Sequence, residues 1–179
     1  MLKPNFVTKK IDVQDSYGKF SITPLPAGFG HSMGNALRRT LFSSIEGAAG
    51  TYVKINDIVH PFSTIDGIKE SGLDIILNVK QLRFVAVGEG PFVIRLSAKG
   101  IGKVKASDFK GDVRIVNGDL LIAELTSPKA KLDIELTVEK GRGYSPSEEK
   151  ENKDFGVLAL DSTFSPVQKV NFRVEGERV

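Results

Sequence analysis

The chain has 179 residues, 40% hydrophobic and 26% charged, which is typical of a globular protein with one domain or two small ones and argues against a disordered or membrane-embedded chain. Its 25 lysines and arginines exceed its 22 aspartates and glutamates by only three, and their dispersed positions do not by themselves predict nucleic-acid binding. With no cysteine and only His31 and His60, the sequence excludes disulfides and thiolate zinc sites, and we expect neither a metal ion nor another cofactor.

No targeting segment is visible in the sequence. Residues 1–20 lack the uninterrupted apolar run of a signal peptide, and the longest apolar runs, such as 120–123, are far shorter than a membrane span. We therefore expect a cytoplasmic protein without membrane contact.

Short strands make up most of the predicted structure. The clearest is 130–140, where apolar and polar residues alternate and so place one face against a core and the other in water. Asn117 and Gly118 separate two apolar runs and predict a tight hairpin, since both tolerate positive φ. The polar segment 144–154 predicts a mobile surface loop. In chain order, the predicted strands are 19–23, 51–59, 83–87, 91–98, 111–116, 119–125, 130–140, 156–161 and 167–175.

Two segments have helical spacing instead. In 31–45 apolar residues recur every three or four positions, and Gly47 follows the end. In 66–82 the apolar stripe is wide, so we expect this helix to lie deep in a packed layer, although Gly72 weakens its first half by roughly 1 kcal/mol relative to Ala. The stripe of the second helix is formed by Ile68, Leu73, Ile76, Leu77 and Lys80.

Three glycines, Gly28, Gly30 and Gly34, precede and enter the first predicted helix with a spacing close to that of a dinucleotide-binding turn. That site needs a buried parallel strand before the first glycine, whereas residues 23–26 contain two prolines, which are poor material for a central strand. We interpret the glycines as a turn entering a helix. His31 lacks nearby catalytic partners at a recognisable spacing and is interpreted as a capping or turn residue.

Arg38 and Arg39 are the most interesting charged pair. Adjacent helical side chains diverge by about 100°, so the two cannot serve one surface, and one of them is a candidate anchor for a partner protein. The single Arg-Gly repeat around Arg142 is more typical of a turn than of RNA binding. Residue chemistry thus favours an interaction protein over an enzyme, and a small β-rich ligand- or nucleic-acid-binding module is the alternative.

Several longer motifs occur in one order along nearly the whole chain. Together they resemble the N-terminal region of the bacterial and plastid RNA polymerase α subunit. The motifs are 28–44 (GFGHSMGNALRRTLFSS), 60–64 (HPFST), Gly67, 74–80 (DIILNVK), 100–102 (GIG), 141–144 (GRGY) and 164–167 (FSPV).

This resemblance implies an α+β fold made of two domains, one inserted in the other. Residues 1–50 and 172–179 would form part of a two-layer α/β dimerisation domain, and residues 51–171 an inserted, mostly β domain. The implied location is the cytoplasm or the plastid stroma.

The resemblance also implies a function in assembly. Two α chains dimerise and then recruit the large β and β′ subunits for transcription, with no catalytic residue, no DNA contact and no membrane contact supplied by this region. By position in the motifs, the implied large-subunit interface consists of Arg38, Arg39, Phe42, Asp74, Lys80 and Val167. Three residues are implied to form the dimer interface or the core beneath it: Met33, Leu37 and Leu41.

The family continues beyond the position of Val179 with a further strand and a long helix that pairs with the first helix. Without that helix, the apolar stripe of 33–41 loses part of its cover, and exposed stripes of this kind promote association. We therefore expect this chain alone to form non-native oligomers or to have a frayed first domain.

Overall fold

An antiparallel pair of long strands organises the computed structural model, which describes residues 5–151 and 154–176. The helices are α1 (Phe29–Ser43) and α2 (Gly72–Lys80), and short 3-10 turns cover Ala106–Asp108 and Ser147–Glu149. The strands are β1 (Val7–Gln14), β2 (Tyr17–Thr23), β3 (Glu46–Ile55), β4 (Phe84–Val85), β5 (Phe92–Lys99), β6 (Gly102–Lys105), β7 (Arg114–Ile115), β8 (Leu121–Leu125), β9 (Lys131–Arg142), β10 (Tyr144–Ser145), β11 (Leu158–Ala159) and β12 (Ser162–Thr163).

The central sheet has the order β11-β3-β9-β5, with every neighbouring pair antiparallel. In β9 the predicted alternation is confirmed, because its apolar residues are buried and the residues between them are half-buried. β3 pairs with β9 from Glu46↔Arg142 to Ile55↔Ile134, with one register shift between Gly50 and Tyr52. The core lies on the apolar face of this sheet, where α2 and the small sheets β4-β7 and β6-β8 cover it.

Both predicted helices exist, but the second is shorter than expected. Its first turn begins at Gly72 because Ser71 caps it, whereas the preceding residues are held in a turn by the neighbouring strand β8. There Ile68 forms a bridge with Leu125, and the Lys69 N–H donates to the Glu124 carbonyl at 3.0 Å. In the described residues, no helix is both long and apolar enough to cross a membrane.

The hairpin predicted at Asn117 and Gly118 is wrong. β7 pairs with β4 and β8 pairs with β6, so the two strands that flank this dipeptide do not pair with each other. The Asn117 side chain instead joins the turn to the end of α2: its oxygen accepts from the Arg83 N–H at 2.8 Å and its amide donates to the Gln81 carbonyl at 3.0 Å. The local turn remains, with the Leu120 N–H donating to the Asn117 carbonyl at 3.1 Å, but long-range pairing has replaced the hairpin.

The strand predicted over 167–175 is also wrong, since these residues carry no regular secondary structure. The segment contacts helix α1 through Phe172 and Val174, and among the described residues it pairs with no strand. The predicted loop 144–154 contains β10 and a 3-10 turn fixed by side-chain hydrogen bonds, and its residues 152–153 lie outside the described residues.

The α+β fold class is confirmed, with two helices and several antiparallel sheets in the described residues. By its contacts the chain divides into a smaller unit, from Met1–Thr40 and Lys169–Val179, and a larger unit, Leu41–Gln168. In the smaller unit, β1 and β2 form a hairpin and α1 contacts the segment around Phe172. That these units correspond to a dimerisation and an inserted domain, with the predicted junctions after residues 50 and 171, remains a prediction.

The close contact between β3 and the segment after β12 can be tested with Gly47→Ala. A Cβ at Gly47 would overlap the Phe164 carbonyl oxygen, and because that atom belongs to the backbone it cannot turn aside. We expect the free energy of unfolding to fall by about 3 kcal/mol, measured by denaturant titration with circular dichroism. The matched control is Gly102→Ala, where a Cβ meets no atom within 4 Å and little change is expected. Equal stability of the two variants would contradict this account of Gly47.

Candidate functional site

Two glycines of helix α1 lie against a neighbouring segment of the same unit. Gly28 has φ of +83° and forms the turn before the helix, as the sequence predicts. A Cβ at Gly30 would lie 2.6 Å from Val174, and one at Gly34 would overlap the Phe172 ring. The His31 and Phe172 rings meet edge to face, with centroids 6.2 Å apart. Gly30 and Gly34 therefore provide a packing surface for the segment that contains Phe172 and Val174.

The rest of α1 is open to solvent, and no residue of the helix is buried. Leu37 and Leu41 keep 41% and 36% of their surface exposed, and Met33 is half-buried. Arg38 and Arg39 are both exposed. Phe42 is half-buried near the end of the helix. The helix thus presents both apolar and cationic side chains on its surface.

Helix α2 is buried on one side only. Its inner face is formed by Gly72, Ile75, Ile76 and Val79. At 100° per residue, Asp74, Leu77 and Gln81 line the opposite face, with Lys80 at its flank, and all four are exposed. Leu77 was predicted in the apolar stripe, yet it is 49% exposed, because its side chain lies on the outer face. The exposed face of α2 is thus a leucine with polar residues around it.

Asp74, one of the predicted interface residues, serves its own helix. Its carboxylate accepts from the Ser71 N–H at 3.1 Å and from the Ser71 hydroxyl at 2.6 Å, while the Asp74 N–H donates to the Ser71 oxygen at 3.3 Å. This is a capping box, which satisfies donors that a helix start leaves unpaired. The hydrogen bonds from Ser71 lower the pKa of Asp74 below its ordinary value.

Lys80, at the other end of α2, is joined to a distant strand connection. Its ammonium lies 3.0 Å from the Asp161 carboxylate. The other oxygen of Asp161 accepts from the Ser147 N–H at 2.9 Å and from the Ser147 hydroxyl at 2.7 Å. These bonds from Ser147, followed by that from Lys80, hold the pKa of Asp161 well below its usual range. We call Lys80, Asp161 and Ser147 the Asp161 cluster.

Lys150 forms a second tie beside the Asp161 cluster. Its ammonium donates to the Leu160 carbonyl and to the Ser162 hydroxyl, and the Ser162 hydroxyl in turn donates to the Gly50 carbonyl at 2.7 Å. Burial lowers the pKa of Lys150, although the nearby carboxylates of Glu139 and Asp161 favour its charged form. Residues 147–150 are thereby fastened to the connection 160–162 at two points, by Ser147 on Asp161 and by Lys150 on Leu160 and Ser162.

Sequence reasoning identified Lys80 but missed Asp161, Ser147 and Lys150. No local pattern indicates the cluster, because its lysine and aspartate are 81 residues apart in the chain. Val167, the remaining predicted interface residue, is half-buried in a turn where its N–H donates to the Ser165 hydroxyl at 3.3 Å. The described residues contain no group of three or more acidic or histidine side chains able to hold a metal ion.

Comparison with known proteins identifies the family of this chain. The model of the RNA polymerase Rpb3/RpoA insert domain matches residues 53–165, which lie within the larger unit. The chain therefore belongs to the RNA polymerase Rpb3/RpoA insert-domain family.

Individual relatives extend the similarity beyond the matched region. The chain is 48% identical over 167 residues to a DNA-directed RNA polymerase subunit alpha of Herpetosiphon aurantiacus, covering 92% of this chain and 50% of the relative. It is 46% identical over 183 residues to that of Symbiobacterium thermophilum, covering 100% and 58%, and 47% identical over 169 residues to that of Aquifex aeolicus, covering 92% and 53%. The chain thus spans about half the length of the curated relatives it matches.

The capping box of α2 can be tested with Ser71→Ala. This change leaves the helix start without its side-chain acceptor, and we expect the free energy of unfolding to fall by about 1 kcal/mol in denaturant titrations. Ser107→Ala is the matched control, since the Ser107 hydroxyl has no hydrogen-bond partner among the described residues. A Ser71→Ala variant as stable as this control would show that the cap does not stabilise α2.

The Asp161 cluster predicts a dependence of stability on pH. Because the folded pKa of Asp161 is lowered, its contribution is present above the unfolded value of 3.8 and is lost as the pH falls from there toward the folded value. At pH 7, Asp161→Asn should cost about 1 kcal/mol, a figure reduced for solvent screening of this partly exposed pair. In denaturant titrations from pH 7 to pH 2, the gap between wild type and variant should narrow below about pH 4.

The control for this pH series is Asp119→Asn, which removes a fully exposed carboxylate 3.5 Å from Lys105. Its stability should follow that of the wild type across the same range. A constant gap between wild type and Asp161→Asn at every pH would contradict the role given to the charged Asp161.

Proposed function

We propose that this chain is a non-catalytic assembly subunit of DNA-directed RNA polymerase, which pairs with a second α chain and recruits the large β and β′ subunits. Family membership supports the link to the polymerase, and the names of the relatives support the α subunit in particular. The bacterial relatives favour the cytoplasm as the place of assembly.

The exposed helix α1 is the observation that carries this proposal. An amphipathic helix of 15 residues gains most of its stability from packing an apolar face, yet α1 has no buried residue among those described. Its leucines and arginines have the composition of a protein contact, since arginine is enriched at binding hot spots and apolar surface drives association. In an assembly subunit such a helix can pack its exposed face against a partner protein, whereas a self-contained binding module has no partner to cover it.

The two kinds of side chain on α1 support two contacts. Leu37 and Leu41 are four residues apart on one side of the helix and fit a second α chain, with Met33 one turn earlier. Arg39, with Phe42 close to it on the helix, fits a large subunit. Asp74 and Lys80 extend the proposed large-subunit contact to α2, and Val167 belongs to the same proposed set.

The carboxylates of Asp74 and Asp161 have structural partners, which supports a non-catalytic role. Asp74 caps α2, and Asp161 holds Ser147 and Lys80. Gly30 and Gly34, which suggested a phosphate-binding turn, instead accommodate Val174 and Phe172. No observation favours the alternative of a ligand- or nucleic-acid-binding module.

The first experiment is size-exclusion chromatography with light scattering, on the chain alone and mixed with the β subunit from the same source. We expect a complex whose mass contains the chain and β. A folded chain that shows no complex at micromolar concentrations would contradict the proposed recruitment. Titration with short duplex DNA at low salt serves as the test of the alternative, because phosphate contacts weaken steeply as salt rises.

A sharper test replaces the arginines of α1 singly. If Arg39 is a buried hot spot of the complex, Arg39→Ala should weaken β binding by roughly 2 kcal/mol or more, measured by titration calorimetry, while circular dichroism stays unchanged. Arg38→Ala is the matched comparison: it removes the same charge from a side chain pointing about 100° away, so a smaller loss is expected. Equal, negligible effects would remove both arginines from the interface.

A further inference from the structure

The Asp161 cluster joins three segments that are far apart in sequence. Lys80 ends helix α2, Ser147 begins a 3-10 turn, and Asp161 lies between β11 and β12. The carboxylate divides its two oxygens between them, with one on the lysine ammonium and the other on both donors of Ser147. Asp161 therefore fixes the position of the end of α2 relative to the turn at 147–149.

Lys80 is held by Asp161 through only one of its N–H donors. An ammonium has three N–H donors, and among the described residues Lys80 has one acceptor, Asp161. About a third of its side chain remains exposed. Its two other donors are therefore available at the surface, on a side chain whose position is already set.

We propose that Asp161 is a positioning residue for large-subunit docking, which holds Lys80 so that its two remaining N–H donors meet an acceptor oxygen of the partner. The proposal rests on the proposed function and goes beyond it, because it assigns a role to a residue that does not itself form the contact.

The physical basis is the loss of side-chain freedom on binding. A lysine has one of the most flexible side chains, and fixing it when a partner docks opposes association. A lysine already held by Asp161 loses less freedom at that moment, so the same contact gives tighter binding. The two hydrogen bonds from Ser147, donated by its N–H and its hydroxyl, hold the Asp161 carboxylate itself in place.

The loss of Asp161 could also strengthen binding, so the direction of the change in affinity distinguishes two roles for this residue. If Asp161 mainly neutralised Lys80, its removal would strengthen the attraction between Lys80 and a partner acceptor. Positioning predicts weaker binding after the removal of Asp161, and neutralisation predicts tighter binding.

The experiment is a double-mutant cycle on the full chain, with the purified β subunit and the purified β′ subunit as probes in separate calorimetric titrations. Asp161→Asn should weaken the binding of the large subunit that contacts Lys80 roughly tenfold, as should Lys80→Gln. Because Asp161 acts through Lys80, the variant carrying both changes should bind no more weakly than Lys80→Gln alone. A merely structural role for Asp161 would give the same loss with or without Lys80.

Local structure is measured on the same variants without any partner. In Asp161→Asn we expect faster hydrogen exchange at the Ser147 amide and an unchanged core of β3 and β9. Ser147→Ala is a second route to the same test if Asp161→Asn does not fold, and its smaller loss of binding should also vanish in the Lys80→Gln background. Asp119→Asn, which removes an equivalent exposed carboxylate, should bind β like the wild type.

The outcomes separate this proposal from the proposed function. A wild-type chain that binds neither large subunit contradicts the proposed function. A wild-type chain that binds a large subunit, with an Asp161→Asn variant that binds β and β′ as well as the wild type or more tightly, overturns the positioning role alone. Additive losses in the double variant overturn it as well.

Discussion

The antiparallel pairing of β3 with β9 is the constraint on which the larger unit depends. Each strand is long, and each has neighbours on its other side, β11 for β3 and β5 for β9. The alternation in β9 sets which face of the sheet is apolar, and that face collects α2 and the small sheets into one core. A shift of one residue in this pairing would expose every buried side chain of β9, so the register has no tolerated alternative.

The end of β3 shows how side chains preserve this register where the strand stops. Asn56 has a positive φ of 42° and leaves the strand, yet its amide continues the pairing with β9. It donates to the Lys131 carbonyl at 2.9 Å and accepts from the Asp133 N–H at 2.7 Å. At the other end, Gly47 and Gly141 leave room for Phe164, so the segment after β12 can cross the sheet closely.

Side-chain hydrogen bonds hold the connections in place, as backbone hydrogen bonds hold the strands. The turn at 147–149 and the connection at 160–162 lack long strands of their own, and they are held by Asp161, Ser162 and Lys150. Ser162 is only 1% exposed, and its hydroxyl bonds the Gly50 carbonyl, so a buried polar group is satisfied where β3 changes register. The surface beside Lys80 is consequently formed by several segments acting together.

The smaller unit differs from the larger one because its described residues form no buried core. Its described residues, in β1, β2, α1 and 169–176, include none that is buried, and large apolar side chains such as Ile11, Phe20 and Leu37 remain more than 40% exposed. Apolar surface of this extent is typical of a region that completes its core with further protein. This agrees with the assembly role that we propose for α1.

The sequence by itself determined the features that depend on local pattern. The alternation of 130–140 gave β9, the glycine before the helix gave the turn at Gly28, and the long motifs gave the family. Local patterns also misled where two apolar runs lie next to each other. The runs beside Asn117 looked like one hairpin, but each has a better partner elsewhere in the chain.

Tertiary structure alone decided the rest, because it depends on which distant groups meet. It placed Leu77 on the outer face of α2 and brought Asp161 to Lys80 across 81 residues. It also explained Gly30 and Gly34 by the residues 172–174 that lie against them. Periodicity records only whether a side chain faces a core; the identity of the neighbour is set by chain topology, which no local pattern contains.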